Sequence, residues 1–509
     1  MPINRREMLK SAGAAVALSR FAGAKIFAEP AFAPTRAALK NYRIPDWFRD
    51  AKFGIWAHWG PQSAVEAGDW YARNMYMQGS DQYDYHVQTY GHPSKVGYKD
   101  LVNDWKAAKW DPDHLISLYK KAGAKYFVSM GVHHDNFDLW NSKHNRWNSV
   151  AMGPKKDVVG IWREAARRQG LRFGVSEHLW ISYKWWAVSH QADKHGLYAG
   201  VPYDGADAKF ADLYHDADSA RFGDGLEWNS DGIPDSWRKH YLDRITDLID
   251  QHEPDLLYTD GYLPFEEYGL QMVSHLYNVS AARHGGVAEA VYNSKLDSDC
   301  AVGTCTLDHE RGVADGISAN PWQSDTCIGQ WHYKRGQKYK TAKKVIDLLT
   351  DIVSKNGNLL LSVPLPNSGE PDCQELEVLD GITKWMDVNG EGIFGSRPWK
   401  IYGEGPSTAV QIKAGNFNED KRGDFTAEDV RFTTRGKTLY AFVQGWPQHE
   451  AIVKALGAES EQQPGRIAKV SLLGARGEVK WQQTAEALRV RVPEEKISEI
   501  GVTLKVEFA

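Results

Sequence analysis

Apolar and polar positions change their period along this chain, and the changes divide it. From about residue 50 to about residue 390, amphipathic helical patterns alternate with short apolar runs. "HLISLYKKAGAKYFVSM" reads as a helix, a glycine turn and a buried strand over Tyr126–Met130. "VVGIWREAARRQGLRFGVSEH" repeats the plan, with Gly170 stopping the helix before a strand over Arg172–Ser176. "YLDRITDLIDQHEPDLLYTDG" does so again, with Pro254 ahead of a strand over Leu256–Thr259. "FGIWAHWG", "AEAVYNSK" and "GNLLLSVP" supply further strands, the last after a helix over Lys340–Lys355. Repeated units of this length predict a parallel sheet covered by helices, and so many of them predict an α/β fold of the (β/α)8 type, short of a helix or two. The stretch from Tyr183 to Trp237 breaks the repeat and reads as an insertion over the rim.

Beyond "PWKIYGEGP" (Pro398–Pro406) the period becomes two, with glycine-containing turns. That predicts an antiparallel β-sandwich. The expected organisation is a leader over 1–33, a barrel over 40–395 and a sandwich over 400–509. The leader reading rests on Arg5 and Arg6 ahead of an Ala/Gly-rich segment, the outline of a twin-arginine export signal. Ala31 and Ala33 offer a cleavage point, with Ala28 an earlier one, and the expected destination is a bacterial periplasm or the exterior. No later run approaches the roughly 18 apolar residues of a membrane span.

Composition adds one signal. The 509 residues include 20 Trp and 23 Tyr, whose flat faces stack on sugar rings or fill a large core. A net charge of −5 without a dense Lys/Arg block argues against nucleic acid. Among four cysteines, Cys300 and Cys305 are close enough to pair, with Cys327 and Cys373 a conceivable second pair. No spacing suits a structural zinc site.

In a barrel the C-terminal ends of the strands carry the site. Those ends hold His58, then His133, His134 and Asp135, then Glu177 and His178, then Asp260. Asp260 follows a buried run directly and suits a fixed nucleophile or base, or else a turn cap. His133 and His134 are neighbours, so regular strand geometry turns them apart, and hydrogen bonding to a polyhydroxylated ligand ranks above shared metal ligation. "FGIWAHWG" and "GDWYARNMY" add Trp59, Asp69, Trp70 and Tyr71, either a sugar pocket or core.

"WFRDAKFGIWAHWGP", "GDWYARNMY", "HHDNFDLWNSK", "PDLLYTDG", "VSKNGNLLLSV" and "VNGEGIFGSRPW" occur in one order between about residues 40 and 400. In these motifs the chain resembles the α-L-fucosidases of glycoside hydrolase family 29. The resemblance implies retaining hydrolysis of terminal α-L-fucose from a glycan, with no metal and no cofactor. Asp260 matches the family nucleophile, and His58, His133 and His134 match residues that bind fucose. Asp69 stands where the family usually has Glu. The strand ending "VSEH" lacks the usual tyrosine, leaving His178 or Glu177 in its place. In "PWQSDTC" Gln323 stands at the usual acid/base position, and an amide cannot do that work. Glu310, in a loop beside Arg311, is the expected replacement, with Asp325 and Glu177 in reserve. Arg311 matches a family arginine near the sugar. Trp59 and Arg311 join the histidines around the ring, Trp331 offers an apolar platform, and Gln323 bonds a second sugar or positions Glu310. A retaining glycosidase for another sugar and a silent sugar-binding protein remain alternatives.

Overall fold

The computed structural model describes residues 32–301, 303–421 and 423–509. The predicted leader therefore lies almost wholly outside the described residues.

Eight parallel strands close a barrel in chain order: β1 (Phe53–Ala57), β2 (Tyr126–Val132), β3 (Arg172–Glu177), β4 (Leu256–Thr259), β5 (Val291–Ser294), β6 (Thr306–Glu310), β7 (Trp322–Cys327) and β8 (Gly357–Ser362). The longer covering helices are α1 (Pro112–Lys121), α2 (Val158–Arg168), α3 (Asp235–His252), α4 (Glu267–Arg283), α5 (Ala342–Ser354) and α6 (Cys373–Asn389). They follow β1, β2, β3, β4, β7 and β8. Only a four-residue turn of helix, Asp297–Cys300, follows β5, and no helix separates β6 from β7. The barrel is thus two helices short, as its pattern foretold. A cavity of about 680 Å³ lies on the outer face of β6 and β7, lined by Leu307, His309 and Trp322, where those helices are missing.

The stretch from Leu307 to Asp325 corrects one expectation. Glu310 is not in a loop but is the last residue of β6, paired in register with Asp325 of β7. Both strands escaped the hydrophobic pattern because their inward positions are polar: Asp308 and Glu310 in one, Gln323 and Asp325 in the other.

Inside the barrel, Trp56, Tyr126, Val128, Leu256, Tyr258 and Leu360 form a small core. A side chain at Gly54 would meet the Tyr126 ring at 2.3 Å, so glycine there admits the tyrosine. Strand residues alternate between this interior and the helix layer, which fixes what reaches the C-terminal rim.

The strands beyond the barrel form an antiparallel sandwich. A five-stranded sheet has the order β13–β16–β11–β10–β9 and a three-stranded sheet the order β12–β15–β14, from β9 (Arg397–Glu404) and β10 (Val430–Arg435) through β11 (Thr438–Val443), β12 (Glu450–Val453), β13 (Ile467–Leu472), β14 (Trp481–Gln483) and β15 (Leu488–Arg491) to β16 (Val502–Phe508). The two sheets share a core that includes Val430, Leu439, Val453, Leu488 and Leu504. The sandwich docks on α5, where buried Arg431 of β10 bonds Asp351 at 2.6 Å. Cys300 and Cys305 form a disulfide, whereas Cys327 and Cys373 are free, so the second pairing is not made.

Candidate active site

Strand alternation assembles the site. Counting inward positions toward the C-terminal end gives Trp56 and His58 from β1, His178 from β3, Tyr258 and Asp260 from β4, and Lys295 two residues after Asn293 of β5. β6 and β7 add Glu310 and Asp325. All of these line one cavity of about 540 Å³. Asp69, Trp70, His133 and Trp331 complete the wall from loops, Trp228 reaches in from the Tyr183–Trp237 insertion, and Asn416 and Phe417 from the segment between β9 and β10.

Three charged side chains form its centre. Nζ of Lys295 donates to Oδ1 of Asp260 at 2.7 Å and to Oε2 of Glu310 at 2.5 Å. Those two carboxyl oxygens therefore lie no more than 5.2 Å apart. The environments push the two acids in opposite directions. Burial alone would raise Asp260, but Lys295 and hydrogen bonds from His134 and His178 outweigh it and hold Asp260 well below the usual carboxylate range. Burial raises Glu310 to about 7, Asp260 and Asp325 add to the rise, and Lys295 opposes it. Asp260 is thus ionised near neutral pH, whereas Glu310 gives up its proton only as the pH rises through about 7.

Histidines surround Asp260. His178 donates from Nδ1 to Oδ2 at 3.1 Å. Burial pushes this imidazole down to about 4, so it is neutral. His134 bonds the carbonyl of His178 through Nδ1 at 2.6 Å, which turns its Nε2 toward Oδ2 of Asp260 at 3.3 Å. The indole of Trp180 donates to the Asp260 carbonyl at 2.7 Å. His133 accepts at Nδ1 from Gln62 at 3.0 Å, leaving an Nε2–H donor. His133 and His134 both serve this site because the chain leaves β2 at Val132, just past a register shift, so alternation no longer applies. His58 and His133 are held well below their usual range by burial. Neutral imidazoles at His58, His133 and His178, the Asp69 side chain and indole faces at Trp70, Trp228 and Trp331 make the rest of the pocket polar and aromatic. His134, His178 and Asp260 are spaced closely enough to share an ion, as are His58, His133 and His178. In the first group the Lys295 ammonium already supplies the cation beside Asp260.

The α-L-fucosidase family model matches residues 21–391, and the model of the α-L-fucosidase C-terminal domain matches residues 422–507. The chain belongs to the α-L-fucosidase family. Such proteins are glycoside hydrolases, acting on fucosylated glycans. Tissue α-L-fucosidase of Mus musculus is 26% identical over 494 residues, covering 94% of this chain and 93% of its own. The Homo sapiens protein is 25% identical over 464 residues, covering 88% and 85%. A solved structure of Thermotoga maritima α-fucosidase with a mechanism-based inhibitor superposes with a TM-score of 0.70, at 23% identity over 94% of this chain and all of that one.

Within this fucosidase most of the residues singled out from sequence line the cavity, whereas Trp59, Arg311 and Gln323 do not, and His134 meets it only through Asp260. Trp59 turns away from the cavity, because it follows an inward residue. Its ring packs on Trp105 and Trp110 and its indole donates to the Pro366 carbonyl at 2.8 Å. Arg311 is likewise out of phase with Glu310 and pairs with Glu419 at 3.1 Å, away from the cavity. Gln323 points inward but lies one layer too deep. It donates to Asp308 at 2.8 Å and accepts from Tyr126 at 3.0 Å, fully buried below the pocket floor. Of the reserve acids, Asp325 lines the cavity. Glu177 faces the helix layer and accepts from Thr259, Tyr241 and Leu179. Sequence reading missed Lys295 and placed Arg311 near the sugar instead. The signal was present, since "VYNSK" puts Lys295 in phase with inward Val291 and Asn293.

Proposed function

We propose that this chain is a retaining exo-α-L-fucosidase working by double displacement. Asp260 attacks the anomeric carbon while Glu310 protonates the leaving oxygen. Glu310 then takes a proton from the water that hydrolyses the fucosyl-enzyme. The observation that carries this reading is the Lys295 bridge, which limits the separation of the bonded carboxyl oxygens to 5.2 Å. Retention needs carboxyl groups about 5–5.5 Å apart, whereas inversion needs about 6.5–9.5 Å for an intervening water. The opposed shifts of the two acids support the same division of labour. His58, His133, His178, Asp69, Trp70 and Trp331 hold the sugar hydroxyls and apolar face, while His134 supports Asp260.

Proton NMR during hydrolysis of an aryl α-L-fucoside tests it. The first product is α-L-fucose, with β-L-fucose appearing only at the rate of mutarotation. β-L-fucose as first product overturns the mechanism, and faster cleavage of the aryl galactoside overturns the sugar. We further propose export through a twin-arginine leader. The Cys300–Cys305 disulfide fits an oxidising compartment. Phe32 is buried and its backbone bonds Ser274 and Asn278 of α4, which favours cleavage near Ala28 over cleavage after Ala33.

A further inference from the structure

The segment between β9 and β10 belongs in chain order to the sandwich, yet it is stitched to the strand end that carries Glu310. Phe417 N–H donates to the Glu310 carbonyl at 2.8 Å, and Glu310 N–H donates to Oδ1 of Asn416 at 3.0 Å. Asn418 and Glu419 N–H groups both donate to the Arg311 carbonyl at 3.0 Å, and Oδ1 of Asn418 accepts from Val313 N–H at 2.7 Å. The approach is close enough that a side chain at Gly312 would meet the Gly415 carbonyl at 2.1 Å. A backbone bonded to Glu310, Arg311 and Val313 in this way is a fixed wall.

What this wall presents is an apolar ring left in water. Phe417 is 64% exposed and sits at φ +54°, a conformation a phenylalanine rarely adopts. It lines the cavity beside Leu296, which is 44% exposed, while Trp228 of the insertion lines the same mouth at 45% exposure. With Oδ1 of Asn416 used by Glu310, what Asn416 offers a ligand is the pair of N–H donors on its amide.

We propose that Phe417 and Asn416 form the leaving-group subsite, binding a pyranose next to the scissile bond with its C–H face on the Phe417 ring. The inference rests on the fucosidase reading above. A proton passed from Glu310 to the glycosidic oxygen obliges the departing sugar to lie on the Glu310 side of the cavity, where this wall stands. The sandwich then serves selection of the leaving group, and Trp228 closes the same mouth from the insertion.

The test compares two substrates that share fucose and differ in leaving group: α-L-fucosyl fluoride and a fucosyl disaccharide. Phe417→Ala is expected to lower kcat/KM on the disaccharide about tenfold, the worth of one stacked ring, and to leave the fluoride within about twofold. Phe417→Trp is expected to restore the disaccharide rate. Equal losses on both substrates would make the segment a mere support for Glu310, and no loss on either would make the ring a bystander; both overturn the subsite. Thermal melts of each variant separate these outcomes from misfolding, with Phe417→Trp as the second variant if Phe417→Ala does not fold. A wild-type protein that cleaves neither substrate overturns the fucosidase reading itself, and the subsite with it.

Discussion

Nζ of Lys295 lies 2.7 Å from Oδ1 of Asp260, closer to that carboxylate than either His134 or His178. The ammonium is buried and its charge is matched by both Asp260 and Glu310, which outweigh its desolvation. Because Lys295 lowers both acids, removing it should move both limbs of the pH–rate profile upward. Lys295→Met is expected to cost about 100-fold in kcat/KM, as for loss of one preorganised charge contact. Lys295→Arg should recover part of that. A profile in Lys295→Met with both limbs in place would show that Lys295 is only a packing residue.

The wild-type profile follows from the two shifts. As the proposed nucleophile Asp260 must be ionised, and its depressed pKa keeps it so throughout the neutral and mildly acid range. As the proposed acid Glu310 must be protonated, and it loses its proton as the pH rises through about 7. Hence kcat/KM for a fucoside with a poor leaving group should fall above about pH 7. A leaving group that needs no proton, such as fluoride, should remove this limb. A basic limb identical for both substrates would assign it to another group.

Azide separates the two carboxyl roles by stereochemistry. On the proposed mechanism the fucosyl-enzyme should still form in Glu310→Ala from a dinitrophenyl fucoside, and azide should capture it to give α-L-fucosyl azide. In Asp260→Gly azide replaces the nucleophile and should give β-L-fucosyl azide. Each variant alone should lose on the order of 10³-fold or more on a poor leaving group. Azide products of the opposite configurations would exchange the assignments.

How much of this was legible before the fold was known depended on the phase of alternation. Asp260 was readable because an apolar strand ran straight into it. β6 and β7 were not, because a barrel interior that is polar near its rim erases the apolar run by which a strand is recognised. Without strand ends there was no phase, so Glu310 and Arg311 looked equally able to reach the sugar; His58 and Trp59, just past a strand that was read, were both given to it although only one of two neighbours can face inward. Tertiary register, not residue type, separates the members of each pair. Lys295 was hidden differently: a lone lysine after a strand reads as a solvated end until two acids from neighbouring strands are placed around it. The motif resemblance carried the family and the fold, but position-by-position transfer failed at Gln323, where the chain differs from the family.

Trp59 gives a direct check on that distinction. Its indole bonds Pro366 and its ring packs between Trp105 and Trp110, with no face on the cavity. Trp59→Phe removes one buried hydrogen bond and some packing, which should cost about 1–3 kcal/mol of stability. The melting temperature should fall while KM for an aryl fucoside stays within about twofold. A KM raised tenfold in a protein of unchanged stability would return Trp59 to the sugar site.

Gln323 poses the sharper question, since the family pattern puts a catalytic carboxyl there. In this chain the side chain is fully buried, bonded to Asp308 and Tyr126, with Asp325 of the same strand between it and the pocket mouth. Burial already pushes Asp308 and Asp325 upward, so they resist ionisation. A third carboxyl at this depth would be forced to stay protonated and would lie too far below the glycosidic oxygen to deliver its proton. Gln323→Glu is therefore expected to lower stability by about 2–4 kcal/mol, increasingly as the pH rises and ionisation of the buried acid is opposed. It should not raise activity. The decisive variant is the double substitution Glu310→Ala with Gln323→Glu. If Glu310 alone reaches the leaving oxygen, the pair is as slow as Glu310→Ala on a poor leaving group and is still rescued by azide. Recovery of hydrolysis in the double variant would mean that the family position remains functional and that Glu310 is dispensable.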